Sequence, residues 1–211
     1  MASLYFIGET DSHTNDVNNW ATSSGGTTHP AAIPGASDTA FFDGSSPSAL
    51  VDAAWAVGVV NCTSYVQTLT LGANLTVSGS ITLVSGMTFT PSTYTVTVNA
   101  ASTITTGGKL FKGLTFAETA TYTLADTCNV DGTLTVDSGK TATIATSDIV
   151  ASGSVTITGI LVGVGRTLTM DGTGTLAASG RLKTNLTFNT AGTITLANAA
   201  IEYQDGTITF T

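Results

Sequence analysis

The densest group of side chains that could bind a metal lies near the N-terminus, in the stretch ETDSHTND. It places Glu9, Asp11, His13 and Asp16 within eight residues. Oxygen-rich loops of this kind can hold calcium, but the ligand order and the central glycine of an EF-hand are both missing. We therefore predict a polar surface loop, with neither a bound metal nor a cofactor.

A second possible chemistry is cleavage of polysaccharides by carboxylates. Hydrolysis needs two carboxyl groups about 5 to 9.5 Å apart, and a lyase needs a base beside a charge-stabilising arginine or metal. Four aspartates and two arginines in the second half of the chain could meet on neighbouring corners: Asp126, Asp131, Asp137, Asp148, Arg166 and Arg181. Asp131 directly precedes a glycine, however, where turn chemistry already explains it. The prediction is that the chain is not an enzyme.

Phosphate and nucleic-acid chemistry are also disfavoured. The glycine-containing stretch GVGRTLTMDGTG, residues 163–174, lacks the Lys-Ser/Thr pair that a phosphate-binding loop needs. The net charge is −8, and residues 1–108 contain neither lysine nor arginine. Because nucleic-acid binding depends on clustered cations, nucleic acid is not an expected partner.

The two cysteines are the remaining candidates for chemistry. Cys62 and Cys128 lie far apart and match no metal or redox spacing, so we predict separate buried thiols, with a stacked pair left open.

The opening MASLYFIGETDSHTND has no basic region and no sustained apolar run, so it does not resemble a targeting signal. No stretch approaches the eighteen or so apolar residues of a membrane span, so a protein assembled inside a cell, away from membranes, is expected.

The elements that must position these residues are short strands. Apolar-Thr-apolar triplets recur along the last two thirds of the chain, and period-two alternation indicates strands with threonine facing outward. They begin at Leu69, Leu75, Ile81, Met87, Val96, Leu114, Tyr122, Leu134, Val155, Leu168, Leu186, Ile194 and Ile208. Glycines separate many of them, among them Gly153, Gly192 and the pairs Asp131-Gly132 and Asp205-Gly206, and we expect these glycines to supply positive φ at corners.

The triplets repeat with a period near twenty residues, which favours one architecture. The spacings are twenty from Leu114 to Leu134, twenty-one from Leu134 to Val155, twenty from Tyr122 to Ala142, eighteen from Leu168 to Leu186, and twenty-two from Leu186 to Ile208. One coil of a parallel β-solenoid has about this length, and such coils stack to bury a common core. We predict an all-β parallel β-helix of eight or nine coils over residues 38–211, with an N-terminal arm and cap over residues 1–37; the alternative is an antiparallel β-sandwich.

The first sixty residues differ from the repeat and carry a resemblance. Trp20, a Gly/Ser-rich spacer, the turn Pro-Gly-Ala-Ser-Asp-Thr-Ala at residues 34–40 and the Leu-Thr-Val repeats that follow resemble the module that opens right-handed parallel β-helices in bacterial surface proteins and bacteriophage structural proteins. The resemblance implies that Trp20 caps the open end, that residues 34–38 turn into the first coil, and that Asp38 is structural.

The functional expectation combines this resemblance with the scarcity of catalytic residues. We predict a virion structural protein of a bacteriophage, assembled in the host cytoplasm, that decorates the outer surface of the head as a homotrimer bound to the major capsid protein. The expected contact residues are Leu4, Tyr5, Phe6, Asp11, Asp16 and Trp20. The alternative is a tail, fibre or surface adhesive module that binds host carbohydrate through Tyr94, Tyr122 and Tyr203.

Overall fold

The computed structural model contains a parallel β-solenoid of about eight turns, as the repeat predicts. The structure describes residues 1–189, 193–197, 202–203 and 207–211. Gly192 and the Asp205-Gly206 pair, predicted as corners, lie outside the described residues.

The described elements are short strands and a single turn of 3-10 helix, η1, at Val17–Asn19. The strands are β1 Ser3–Phe6, β2 Trp20–Ala21, β3 Thr39–Phe41, β4 Ala49–Val51, β5 Trp55–Val57, β6 Val59–Asn61, β7 Thr68–Leu71, β8 Leu75–Val77, β9 Ile81–Thr82, β10 Thr88–Thr90, β11 Thr95–Val98, β12 Ser102–Thr105, β13 Leu110–Phe116, β14 Ala120–Leu124, β15 Cys128–Val136, β16 Thr141–Ala145, β17 Ile149–Ala151, β18 Ser154–Ile157, β19 Ile160–Met170, β20 Gly174–Ala178, β21 Arg181–Phe188, β22 Ile194–Ala197, β23 Glu202–Tyr203 and β24 Ile208–Phe210.

The strands stack into three faces, and equivalent strands of adjacent coils pair in parallel. The exception among the described strands is on the second face, where β4, β7 and β10 form a sheet of their own and β10 does not pair with β13. The first face contains β1, β3, β6, β9, β12, β14, β16, the first parts of β19 and β21, and β23. The second contains β4, β7, β10, the first parts of β13 and β15, β17, the last parts of β19 and β21, and β24. The third contains β5, β8, β11, the last parts of β13 and β15, β18, β20 and β22.

The core is one continuous column of the inward side chains of these faces. Both apolar residues are buried in each of the first eleven triplets, from Leu69-Thr70-Leu71 to Leu186-Thr187-Phe188, whereas no triplet threonine is buried. The last two triplets belong to the final coil and stay open, because no further described coil covers them: Leu196 is 63% exposed and Phe210 78%. The apolar-Thr-apolar pattern therefore predicted correctly which side chains point into the core.

One predicted register is wrong. Tyr122 lies beside Ile144, and Ala142 lies beside Ala120, so the spacing at this rung of the first face is twenty-two residues rather than twenty. The four other spacings match the observed partners. Side chains along a strand alternate with a period of two, so a shift of two residues still points the apolar side chains into the core. The alternation alone therefore could not distinguish a spacing of twenty from one of twenty-two.

The corner glycines serve two purposes, of which the sequence predicted only the first. Gly107, Gly108, Gly139 and Gly172 do have positive φ. In contrast, Gly132 and Gly153 lack positive φ, and a Cβ at either position would collide with a carbonyl oxygen of the preceding coil, that of Lys112 or Gly132 respectively. These glycines are required because the backbones of adjacent coils approach too closely for any side chain.

Cys62 and Cys128 are both free and fully buried, which confirms the prediction of separate thiols. Burial in apolar surroundings raises the pKa of each thiol to about 12, so neither is a reactive thiolate at neutral pH. Within the described residues there is no helix long and apolar enough to cross a membrane.

Gly153→Ala is expected to destabilise the protein by about 2 kcal/mol or more, because the added methyl group cannot fit without separating two coils. Gly86→Ala is the matched control: its φ is not positive, and its new Cβ would meet only Val66 at 3.9 Å. Chemical denaturation of both variants measures the difference. Equal stability of the two would contradict the close-approach explanation.

Candidate partner-binding surface

The N-terminal end of the solenoid is closed by a cluster of aromatic side chains. Trp20 is fully buried, with ring centroids 5.3 Å from Phe6, 5.6 Å from Phe42 and 5.7 Å from Trp55. The indole Nε1–H of Trp20 donates to the Thr14 carbonyl over 2.9 Å, so its polar atom is satisfied. The implied role of Trp20 as the cap of the open end is confirmed.

The backbone of the cap continues the solenoid sheet. β1 pairs in parallel with β3 on the first face, and β2 then pairs antiparallel with β1. The antiparallel strand covers the outer edge of β1 and so protects an edge that would otherwise be unpaired. Residues of the predicted arm thus join the stack, while the division at residue 37 stays a prediction.

Asp38 fastens this cap to the first coil. Its carboxylate accepts hydrogen bonds from the Ala2 amide at 2.6 Å and from the Gly35 amide at 3.1 Å, while its own amide donates to the Gly35 carbonyl. These bonds, led by the one from Ala2, hold the pKa of Asp38 below its usual value. The turn at residues 34–38 and the structural role of Asp38 are as the resemblance implies.

The ETDSHTND loop, which was considered as a metal site, is held together by hydrogen bonds. The buried Asn19 side chain donates to Asp11 at 2.6 Å and accepts from the Thr10 amide at 2.9 Å. Asp16 accepts from the Thr10 hydroxyl and the Asn18 amide, which together lower its pKa. In the described part of the chain, no three His, Cys, Asp or Glu side chains lie close enough to hold a metal ion.

His29 also joins two parts of the cap. Its Nδ1 lies 3.0 Å from the Trp20 carbonyl oxygen and its Nε2 lies 3.1 Å from the Glu9 carboxylate. Because both partners are acceptors, both contacts are hydrogen bonds only when both ring nitrogens carry a proton.

The exposed feature of the capped end is an aromatic pair on the first face. Tyr5 and Phe41 are paired across β1 and β3, and their rings stack at 4.8 Å with an interplanar angle of 12°. Both residues point outward and are only partly buried, whereas the next rung of the same row is Asn61. From β1 to β6 the row therefore passes from two rings to a polar side chain.

The six predicted contact residues divide into two groups. Leu4, Phe6 and Trp20 are core residues, at most 4% exposed, and cannot contact a partner while the cap stays closed. Their predicted contact role is corrected to a packing role, because the alternation of β1 turns Leu4 and Phe6 inward. Tyr5, Asp11 and Asp16 remain on the surface.

Phe41 is the surface residue absent from that set. In β3 the buried position is Ala40, so the alternation places Phe41 outward, and Phe42 turns inward at the corner that follows. The parallel pairing of β1 with β3 is what brings Phe41 beside Tyr5, and no pattern within either segment indicates that pairing.

The aspartates considered for catalysis make contacts between coils. Asp126 accepts from the Thr106 and Gly107 amides, both at 2.7 Å, and Asp148 accepts from the Thr167 amide at 2.8 Å. Asp131 forms an ion pair with Lys112 at 2.9 Å. Among the described residues, the contacts of these aspartates bring none of them to a second carboxylate.

The tyrosines considered for carbohydrate binding do not form one exposed row. Tyr122 is fully buried, and its hydroxyl donates to the Glu118 carbonyl at 3.0 Å. Tyr94 packs partly against the core, and the Tyr203 side chain lies outside what the structure describes.

Comparisons with known proteins give no relative: no family model, curated protein or solved structure matches the chain.

Asp38→Ala is expected to lower stability by about 1–2 kcal/mol, since it removes two hydrogen bonds to a carboxylate. Because the folded pKa of Asp38 is depressed, its stabilising contribution is present above the unfolded pKa, 3.8, and is lost as the pH falls through the lower folded pKa. Thermal melts at pH 7 and at pH 2.5 measure this. The stability gap between wild type and variant should narrow at pH 2.5; a gap of constant size would contradict the assignment.

Proposed function

We propose that this chain is a non-enzymatic structural protein of a bacteriophage particle, which decorates the outer surface of the head and binds the major capsid protein. The resemblance of the N-terminal module supports the phage origin. The observation that carries the docking proposal is the stacked, partly exposed Tyr5–Phe41 pair at the capped end of a rigid solenoid.

The chemistry around this pair supports a protein partner. Aromatic side chains are enriched among the anchor residues of protein interfaces. Carboxylates lie on the same third of the chain, among them Glu9, Asp38 and Asp43, and residues 1–108 contain no lysine or arginine. A capsid surface with an apolar slot and a basic rim would complement this end in shape and charge.

The alternative, an adhesive module of a tail or fibre, depended on a row of exposed tyrosines. Because Tyr122 is buried, that row is not formed, and the decoration proposal is preferred.

The docking proposal predicts that the double variant Tyr5→Thr/Phe41→Thr loses roughly tenfold or more in affinity for empty heads. Threonine is the outward residue of many other rungs, so the variant keeps the strand pattern. Val164→Ala is the control, because Val164 is 86% exposed and lies far along the solenoid. Co-sedimentation with heads measures binding, and a circular dichroism melt verifies the fold.

Unchanged head binding by a folded double variant would contradict docking through this surface. If the wild-type protein bound no heads but retained a cell-surface glycan, the adhesive function would replace the decoration proposal.

We also propose the homotrimer expected from the sequence. Phe188, Ile194, Leu196 and Phe210 line an open apolar depression of about 240 Å³ on the last described coil, which a second copy would cover. Phe210→Ser should therefore shift sedimentation equilibrium from trimer toward monomer. A stable wild-type monomer at micromolar concentration would contradict this assembly.

A further inference from the structure

If coils are counted along the first face with β3 as the first, β19 lies in the seventh coil and β21 in the eighth, and these two coils differ in one corner. β19 passes from the first face to the second through residues 164–166, and these three residues have no counterpart in β21. Gly163 pairs with Thr184, and the next pair is Thr167 with Asn185, so β21 crosses without a corner. The corner at residues 164–166 therefore overhangs Lys183, Thr184 and Asn185.

A cavity of about 400 Å³ results at this place, which we call the corner notch; it is lined by Val162, Gly163, Val164, Lys183, Thr184 and Asn185. This volume lies in the range of small-molecule binding sites. Gly163 is necessary for its shape, because a Cβ there would come within 2.8 Å of the Thr184 hydroxyl oxygen.

The charge in the corner notch comes from Lys183. Lys112 and Lys140 form ion pairs with Asp131 and Glu118, whereas Lys109 and Arg166 donate to backbone carbonyls. Within the described part of the chain, the Lys183 ammonium has neither a hydrogen-bond nor an ion-pair partner. One free ammonium suits a ligand with a single negative charge, such as a carboxylate, better than a dianionic phosphate.

The neutral groups suit hydroxyls and an apolar ring face. The side-chain oxygen Oδ1 of Asn185 accepts from the Thr207 amide, so the two N–H groups of the same side chain remain as donors. The Thr184 hydroxyl donates to the Arg166 carbonyl over 2.9 Å, and Thr184 is only 4% exposed, so it fixes the corner to the next coil. Val162 and Val164 add an apolar wall.

We propose that the corner notch binds a carboxylate-bearing sugar, a uronic acid or a similar acidic monosaccharide. Lys183 pairs with the carboxylate, Asn185 bonds to ring hydroxyls, and the valines contact the C–H face of the ring. The site lies in the seventh and eighth coils, far along the chain from the Tyr5–Phe41 pair, and does not depend on the proposed docking of the capped end.

Titration of the full-length protein with glucuronate, followed by NMR amide shifts, tests the proposal. We expect saturable shifts at residues 162–166 and 183–185, with glucose and acetate each binding about tenfold or more weakly. Lys183→Gln should weaken glucuronate binding about tenfold or more. Lys140→Gln, which removes a lysine paired with Glu118 elsewhere, should leave the affinity unchanged.

Three results would overturn the proposal. The first is the absence of saturable glucuronate shifts at these residues. The second is an unchanged affinity in a folded Lys183→Gln variant. The third is acetate binding as tightly as glucuronate, which would show that the notch recognises a bare carboxylate and not a sugar.

Discussion

No single coil of this protein can bury its own apolar side chains, and this constraint determines the rest of the structure. Leu134, for example, lies between Leu114 of the preceding coil and Val155 of the following one, and all three are fully buried. The backbone needs neighbouring coils as well, because the N–H and C=O groups of one coil form hydrogen bonds with those of the next. Each coil is therefore stable only when a neighbour covers both its strand edges and its inward row.

The two ends of the stack meet this constraint differently. At the N-terminal end, Trp20 and its aromatic neighbours fill the open cross-section, β2 covers the edge of β1, and Asp38 ties the first residues to the first coil. At the other end, the inward row of the last described coil remains exposed. The core side chains of the capped end pack against one another, so a partner at this end would contact outward residues such as Tyr5 and Phe41.

The sequence predicted the fold because alternation and period both repeat many times. Threonine and apolar residues occupy opposite sides of each strand, and glycines occur at the corners, some because φ is positive and others, such as Gly132 and Gly153, because adjacent coils approach closely. It could not predict which residues of the cap stay exposed, since the pairing of β1 with β3 joins segments more than thirty residues apart.

The corner notch could not be predicted from the sequence either. RLKTNLTF, residues 181–188, has the same alternation as the other strands, and only its register against β19 reveals that a corner is missing. Lys183 therefore looks like an ordinary outward residue of a strand. Within the described residues its ammonium has no partner, and this follows from the stacking of the coils and not from its own segment.

Electron cryomicroscopy of particles that carry this protein tests the central claim most directly. We predict density for the solenoid on the outer head surface, with the capped end and the Tyr5–Phe41 pair against the capsid protein and the last coils pointing away from the shell. Density at the tail only, or a solenoid on the head whose capped end faces away from the shell, would contradict it.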